Sequence, residues 1–469
     1  MANVVIIGGG PGGYEAAMVA TQLGGHVTLI ERDGVGGAAV LTDVVPSKSL
    51  IATAEVMIRV RHSRELGIVP VDPSLNHPRE AIKVDLAEIN QRLMQLATEQ
   101  SHDVDDRLRA EGVQIVQGRG RLLNNRVVLA ETDEGMRRFP ADMILLATGT
   151  RPRELPDARP DGERILTWKQ LYNLTELPER LIVVGSGVTG AEFASACRQL
   201  GADVVLVSSR AMVLPSEDPD AAAVIQEVFE KSGMTIMPRS RAQSARVVGD
   251  GVELTLADGR TVSGSHLLMA VGSIPNTEGL GLIENGVTLK PSGHIEVDRM
   301  SRTNARGVYA AGDVTGVFPL ASVAAMQGRI AVWHSLGEAV RPLDLRSVAS
   351  NVFTAPEIAT VGVTQEQVDA GHISARTVMV ELKWNPRAKM QAHYDGFIKL
   401  FCLPQTGIIV GGVVVAPGAS ELIYAVSLCV SARLTVDQAS LAFTVYPSLS
   451  GSISEAGRRL HQVENVNEG

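Results

Sequence analysis

Sulfur is scarce in this chain. Three cysteines in 469 residues, Cys197, Cys402 and Cys429, leave no disulfide framework. None has a close cysteine neighbour in sequence, and each reads as a small buried hydrophobe. The histidines and cysteines show no H-x-x-x-H or C-x-x-C spacing, so no metal site is expected. No G-x-S-x-G elbow surrounds Ser448 or Ser450, which removes the case for a serine nucleophile. No apolar run approaches the roughly 18–20 residues of a membrane helix, and the best, around Ile408 to Val415, is split by glycine. A basic excess is missing too. The net charge of −9 argues against a general nucleic-acid binder. The N-terminus has no basic region or cleavage site, so it does not read as a signal peptide, and a cytoplasmic enzyme is expected. Aromatics make up only 4%, against 46 glycines, a balance that suits tight strand–helix turns rather than disorder.

What is present begins at once. Val4-Val5-Ile6-Ile7 is a buried-strand pattern, followed by Gly8-Gly9-Gly10-Pro11-Gly12-Gly13. Gly8, Gly10 and Gly13 fall on the G-x-G-x-x-G positions. A helical pattern opens at Tyr14, and a second strand, from His26, ends in Glu31. Glycines here allow a tight turn and let the backbone approach a pyrophosphate at the helix N-terminus. Glu31 suits a ribose hydroxyl. A second copy starts at Leu181, with Gly185, Gly187 and Gly190 on the same positions and a helix running to Gly201. Two such sites imply two dinucleotides, most simply a bound flavin and an exchanging nicotinamide. The second copy's next strand ends in Ser208-Ser209-Arg210 instead of an acid. Arg210 can pair with a 2′-phosphate, which favours NADPH while leaving NADH open.

Further motifs carry a family resemblance. Ala147-Thr148-Gly149, Gly272 to Thr277 around Pro275-Asn276, and Gly307 to Asp313 follow in order, then Phe353 to Glu357 and Gly396 to Leu400. The chain resembles a pyridine nucleotide–disulfide oxidoreductase of the lipoamide dehydrogenase, glutathione reductase and soluble transhydrogenase group. The resemblance implies an α/β fold with two Rossmann-like dinucleotide-binding domains, one inserted in the other, and a C-terminal α+β dimerisation domain. It divides the chain into an FAD-binding domain at 1–150 and 271–346, an NAD(P)-binding domain at 151–270 and a dimerisation domain at 347–469. It implies a homodimer, or a higher oligomer built from it. It assigns Gly8, Gly10, Gly13, Glu31, Lys48, Gly120, Thr148, Gly149, Asp313 and Ala321 to FAD. Gly185, Gly187, Gly190, Arg210 and Gly272 fall to NAD(P).

The departures from that family are concentrated. Residues 36–48 keep the frame G-G-x-C-x4-C-x-P-S-K, but Ala39 and Val44 stand where the sulfurs belong. The C-terminal frame H-P-T-x-S-E reads Tyr446-Pro447-Ser448-Leu449-Ser450-Gly451, so the acid–base His and its Glu are gone as well. Lys48 and Glu192, which the resemblance pairs beside the flavin, remain. Thiol–disulfide exchange needs an attacking thiolate. The expectation is therefore hydride transfer from NAD(P)H to FAD, then direct electron transfer to a quinone-like acceptor, with Lys48, Glu192 and Tyr446 as catalytic residues. Two alternatives stand beside it: a soluble transhydrogenase, and a catalytically silent flavin-binding scaffold or redox sensor.

Overall fold

The computed structural model describes residues 1–461. The last eight residues of the stretch 347–469 lie outside the described residues.

The first apolar run becomes the strand Asn3–Ile7, at the centre of a five-stranded sheet. Its neighbours are His26–Glu31 and then Gln114–Gln117 on one side, Met143–Leu146 and then Val308–Ala310 on the other. All pairings are parallel. Parallel strands are covered on both faces, which is why these runs are continuously apolar instead of alternating. The helix Pro11–Gln22 opens at Pro11, ahead of the apolar pattern at Tyr14, because proline's fixed φ suits a first turn. It packs against Ala321–Ser335 so closely that a Cβ on Gly328 would lie 2.1 Å from the Gly12 carbonyl oxygen. Residues more than three hundred apart thus close one layer.

A second parallel sheet runs in the order Thr235–Met237, Asp203–Val207, Arg180–Val184, His266–Met269, Ile165–Thr167. The chain enters and leaves this unit side by side. Thr150–Pro152 pairs antiparallel with Ser273–Pro275. Two small antiparallel sheets, at 119–140 and 242–264, flank the parallel ones.

The C-terminal sheet is antiparallel, in the order Ala349–Val352, Glu357–Gly362, Ile409–Ala416, Phe397–Cys402, Arg376–Glu381. The helix Ala419–Ala432 lies against it. One lysine of this sheet is buried. Lys399 Nζ donates to both carboxylate oxygens of Asp218 at 2.8 Å and to Asp220 at 2.6 Å. That rivets the sheet to the N-terminus of the helix Pro219–Lys231. Among the described residues no helix is long and apolar enough to cross a membrane.

Candidate active site

Both glycine loops have the same geometry. Gly8 has φ +103°, and a Cβ there would lie 2.3 Å from the Ala147 carbonyl oxygen. At Gly185 the figures are +109° and 2.2 Å from the Ala270 oxygen. A Cβ on Gly13 would sit 1.9 Å from the Gly8 oxygen, and one on Gly190 1.8 Å from the Gly185 oxygen. No side chain fits at these positions. Gly10 and Gly187 differ: a Cβ there would meet nothing within 4 Å. Each caps its helix without a side-chain hydrogen bond. The space kept clear, facing uncapped helix N–H groups, suits a pyrophosphate.

Glu31 ends its strand buried. One oxygen accepts from Gly9 N–H, the other from Arg32 N–H and Asp33 N–H, both at 2.7 Å. The carboxylate is therefore fixed at the loop, where a ribose hydroxyl can donate to it. In the second unit the matching Ser208 is buried, with its hydroxyl 2.6 Å from that of Ser186. Arg210 follows, exposed, and its carbonyl accepts from Arg239 N–H at 2.8 Å. No carboxylate occupies the strand end to repel a 2′-phosphate.

Thr148 and Asn276 bind each other twice, hydroxyl to carbonyl at 2.8 Å and amide to carbonyl at 2.9 Å. Gly149 and Gly272 both take positive φ with open space beside them. Gly120 brings its backbone against Ile7, where a Cβ would lie 3.0 Å from that side chain. Thr150 donates to Asp313 at 3.4 Å, and burial pushes the Asp313 carboxyl up. Ala321 opens its helix exposed.

Lys48 and Glu192 come together from two units. The ammonium, on the helix Val44–His62, donates to Glu192 on the helix Val188–Leu200 at 2.8 Å. The Glu192 side chain is 4% exposed, while Lys48 keeps 27%. The other Glu192 oxygen accepts from Phe353 N–H at 2.9 Å, and Lys48 Nζ lies 4.9 Å from the Phe353 ring centre. Sequence reasoning placed Phe353 only in a C-terminal motif; here it is the third support of the pair. Ala39, on the short helix Gly37–Leu41, is half-buried, and Val44, four residues before Lys48 on its helix, is 37% exposed. Neither side chain carries a polar atom.

Asp43 was missed in the sequence. Burial pushes its carboxyl up to about 6; Lys48 opposes the shift, and Glu192 and Asp313 reinforce it. The three cysteines are free and buried. Burial pushes the Cys197 thiol up to about 12, far from a reactive thiolate. Tyr446 is 84% exposed, beside exposed Phe443 and Val445. Its own chain does not bring it into the cleft. Among the described residues, no group of three or more His, Cys, Asp or Glu is placed to hold a metal ion.

The pyridine nucleotide-disulphide oxidoreductase family model matches residues 2–328, and the model of that family's dimerisation domain matches residues 348–457. The chain belongs to this family. Family members use FAD and NAD(P)H, and the two cradles fit them: Gly10 and Gly187 keep clear the room that each pyrophosphate needs. The chain is 51% identical to the NAD(P)H dehydrogenase (quinone) of Mycobacterium tuberculosis strain H37Rv, over 98% of this chain and 94% of that protein. The crystal structure of LpdA from Mycobacterium tuberculosis matches with a TM-score of 0.93 at 50% identity, covering 98% of this chain and all of that one. The dihydrolipoyl dehydrogenase of Zymomonas mobilis is 33% identical, over 98% of this chain and 99% of that protein.

Proposed function

We propose that the chain is an FAD-dependent NAD(P)H:quinone oxidoreductase acting without a redox disulfide. One observation carries this reading. The Lys48–Glu192 pair is intact at 2.8 Å, while Ala39 and Val44 set apolar side chains where the family frame has its sulfurs. Bound FAD supplies a two-electron carrier between donor and acceptor. With FAD bound, the Lys48 ammonium would stabilise negative charge developing on reduction. Glu192 and the Phe353 N–H fix the ammonium's direction. The apolar wall has no thiol to form a mixed disulfide, but it accepts a flat apolar oxidant by stacking. The name of the Mycobacterium tuberculosis relative supports a quinone as that oxidant.

The remaining parts of the reading rest on less. A homodimer is supported by the dimerisation-domain match and by the exposed Phe443, Val445 and Tyr446. In that dimer Tyr446 enters the partner's cleft, where its hydroxyl can bind a quinone oxygen. NADPH is favoured by Ser208 and Arg210. The residue division at 150, 270 and 346 is supported by the paired strands Thr150–Pro152 and Ser273–Pro275. A cytoplasmic location belongs to the same reading, on the acidic net charge and the three scattered cysteines.

The test is stopped-flow reduction of the bound flavin by NADPH and by NADH, followed by an acceptor panel. Benzoquinone and naphthoquinone are expected to turn over. Lipoamide, glutathione disulfide and an oxidised NAD analogue are expected to turn over poorly. Rapid disulfide turnover with inert quinones overturns the proposal.

A further inference from the structure

Lys48 and Lys399 both lie over an aromatic ring, and they are held in different ways. Lys399 Nζ is 5.6 Å from the Phe397 ring centre, and its three contacts to Asp218 and Asp220 match the three donors of an ammonium. Lys48 Nζ is closer to its ring, 4.9 Å from the Phe353 centre, but its one hydrogen bond among the described residues goes to Glu192 at 2.8 Å. Two of its donors are left over. A carboxylate in the ring's place would take one of them and cancel charge. An aromatic face attracts the cation through its quadrupole and consumes no donor.

We propose that Phe353 is a positioning residue for flavin reduction: its ring face holds the Lys48 ammonium in place and leaves two donors and the positive charge for the flavin. This rests on the role given to Lys48 in the reading above.

Three parts of the chain meet in this contact. Lys48 comes from the helix Val44–His62 and Glu192 from the helix Val188–Leu200, while Phe353 follows the strand Ala349–Val352. Glu192 is buried and has no freedom to swing, because its second oxygen accepts from Phe353 N–H at 2.9 Å. The ring has a fixed base too. Val352 before it is buried and pairs with Ile358. Thr354 after it is buried, and its hydroxyl donates to the Pro356 carbonyl at 2.7 Å. The loose member is Lys48, whose flexible stem is partly exposed and has room to turn toward water. Glu192 fixes the ammonium at one point. The ring supplies a second point, and two points set a direction. The Phe353 N–H survives any replacement except proline, so a change of side chain reads the ring alone.

The experiment uses the FAD-loaded enzyme with Phe353→Leu and with a series of mono-, tri- and pentafluorophenylalanine at residue 353. Fluorination keeps the ring and drains negative charge from its face. A cation–π contact at this exposure is worth a factor of about 3–10. Flavin reduction by NADPH, followed by stopped flow, should slow by about that factor in F353L and stepwise along the fluorinated series. The NADPH concentration giving half the maximal rate should not move. Two readouts are independent of turnover. The midpoint potential of the bound flavin should become more negative in the same order, as the ammonium spends less time beside it. In the flavin-free protein, acetic anhydride should label the Lys48 amine faster in that order, read by mass spectrometry. A flat response in rate, potential and labelling across the fluorinated series overturns the positioning role, whatever F353L does. Lys48→Met separates this from the reading beneath it. A K48M enzyme reduced at the wild-type rate overturns the role of Lys48 itself. A slowed K48M with a flat fluorinated series overturns the part given to Phe353 alone.

Discussion

Replacing Lys399 with Met should loosen the C-terminal sheet from the second nucleotide-binding unit. Lys399 and Asp218 side chains are 2% and 3% exposed, and the ammonium makes three carboxylate contacts of 2.6–2.8 Å. Removing one partner of such a pair leaves a charge stranded and costs about 3–5 kcal/mol. The structure points to the lower end. Asp218 still accepts from Asp220 N–H at 3.0 Å and Ala221 N–H at 3.2 Å, at a helix N-terminus that favours negative charge. A loss of about 3 kcal/mol is therefore expected for K399M. Adding Asp218→Asn removes the stranded charge and should restore at least about 1 kcal/mol. The assay is urea unfolding followed by far-ultraviolet dichroism and by tryptophan fluorescence. Two probes are needed because a chain of several units need not unfold in one step. A loss below about 1 kcal/mol for K399M would refute the reasoning, as would a double variant no more stable than the single one.

Three further outcomes follow from the site. Gly187→Val should fold, because a Cβ there meets no protein atom, yet lose flavin reduction by NADPH; Gly190→Ala should fail to fold, its Cβ lying 1.8 Å from the Gly185 oxygen. Melting curves and stopped-flow bleaching separate the two. Ala39→Cys with Val44→Cys should give two titratable thiols but little lipoamide reduction. Tyr446 and Gly451 supply no acid–base, a deficit typically worth about 10²–10⁴-fold; near-family rates would contradict this. In the flavin-free protein, Asp43→Asn should stabilise at pH 7.5 and not at pH 3.5. The folded-state pKa is raised from 3.8 to about 6, so the folded state binds more protons and stability is lost as pH rises between those values. The two-unit shift sets a gain of up to about 3 kcal/mol, read by denaturant unfolding at both pH values.

The glycine loops were legible because sterics dictate them. Gly8 and Gly185 stand within 2.3 Å and 2.2 Å of a neighbouring strand's carbonyl for any Cβ, and only glycine meets that demand at that spacing. Lys48 and Glu192 were legible for a different reason: each sits in a motif with a resemblance behind it. Lys399 was visible only as part of the run Gly396 to Leu400. Its partners lie about 180 residues earlier in the chain, and no local pattern announces a buried lysine. Phe353 was hidden likewise, since its role runs through a backbone N–H. The small antiparallel sheets at 119–140 and 242–264 were not read, because several of their short strands are largely exposed and carry weak alternation. Asp43 escaped for the most instructive reason. An acid before a missing sulfur is no motif, and its carboxyl is raised first by burial and then by Glu192 and Asp313, far off in sequence.

The absent sulfurs leave an apolar stretch beside a raised carboxyl, Asp43. A thiolate needs nearby dipoles or positive charge to persist. Ala39 and Val44 provide neither, and Lys48 is committed to Glu192. Burial raises the neighbouring Asp43 carboxyl, and Lys48 opposes the shift. The two apolar side chains give a flat oxidant a surface to stack on. Restoring polar atoms at residues 39 and 44 would weaken that stacking. The wall suits an acceptor that is planar and apolar and that takes electrons without a thiol partner, as a disulfide does not.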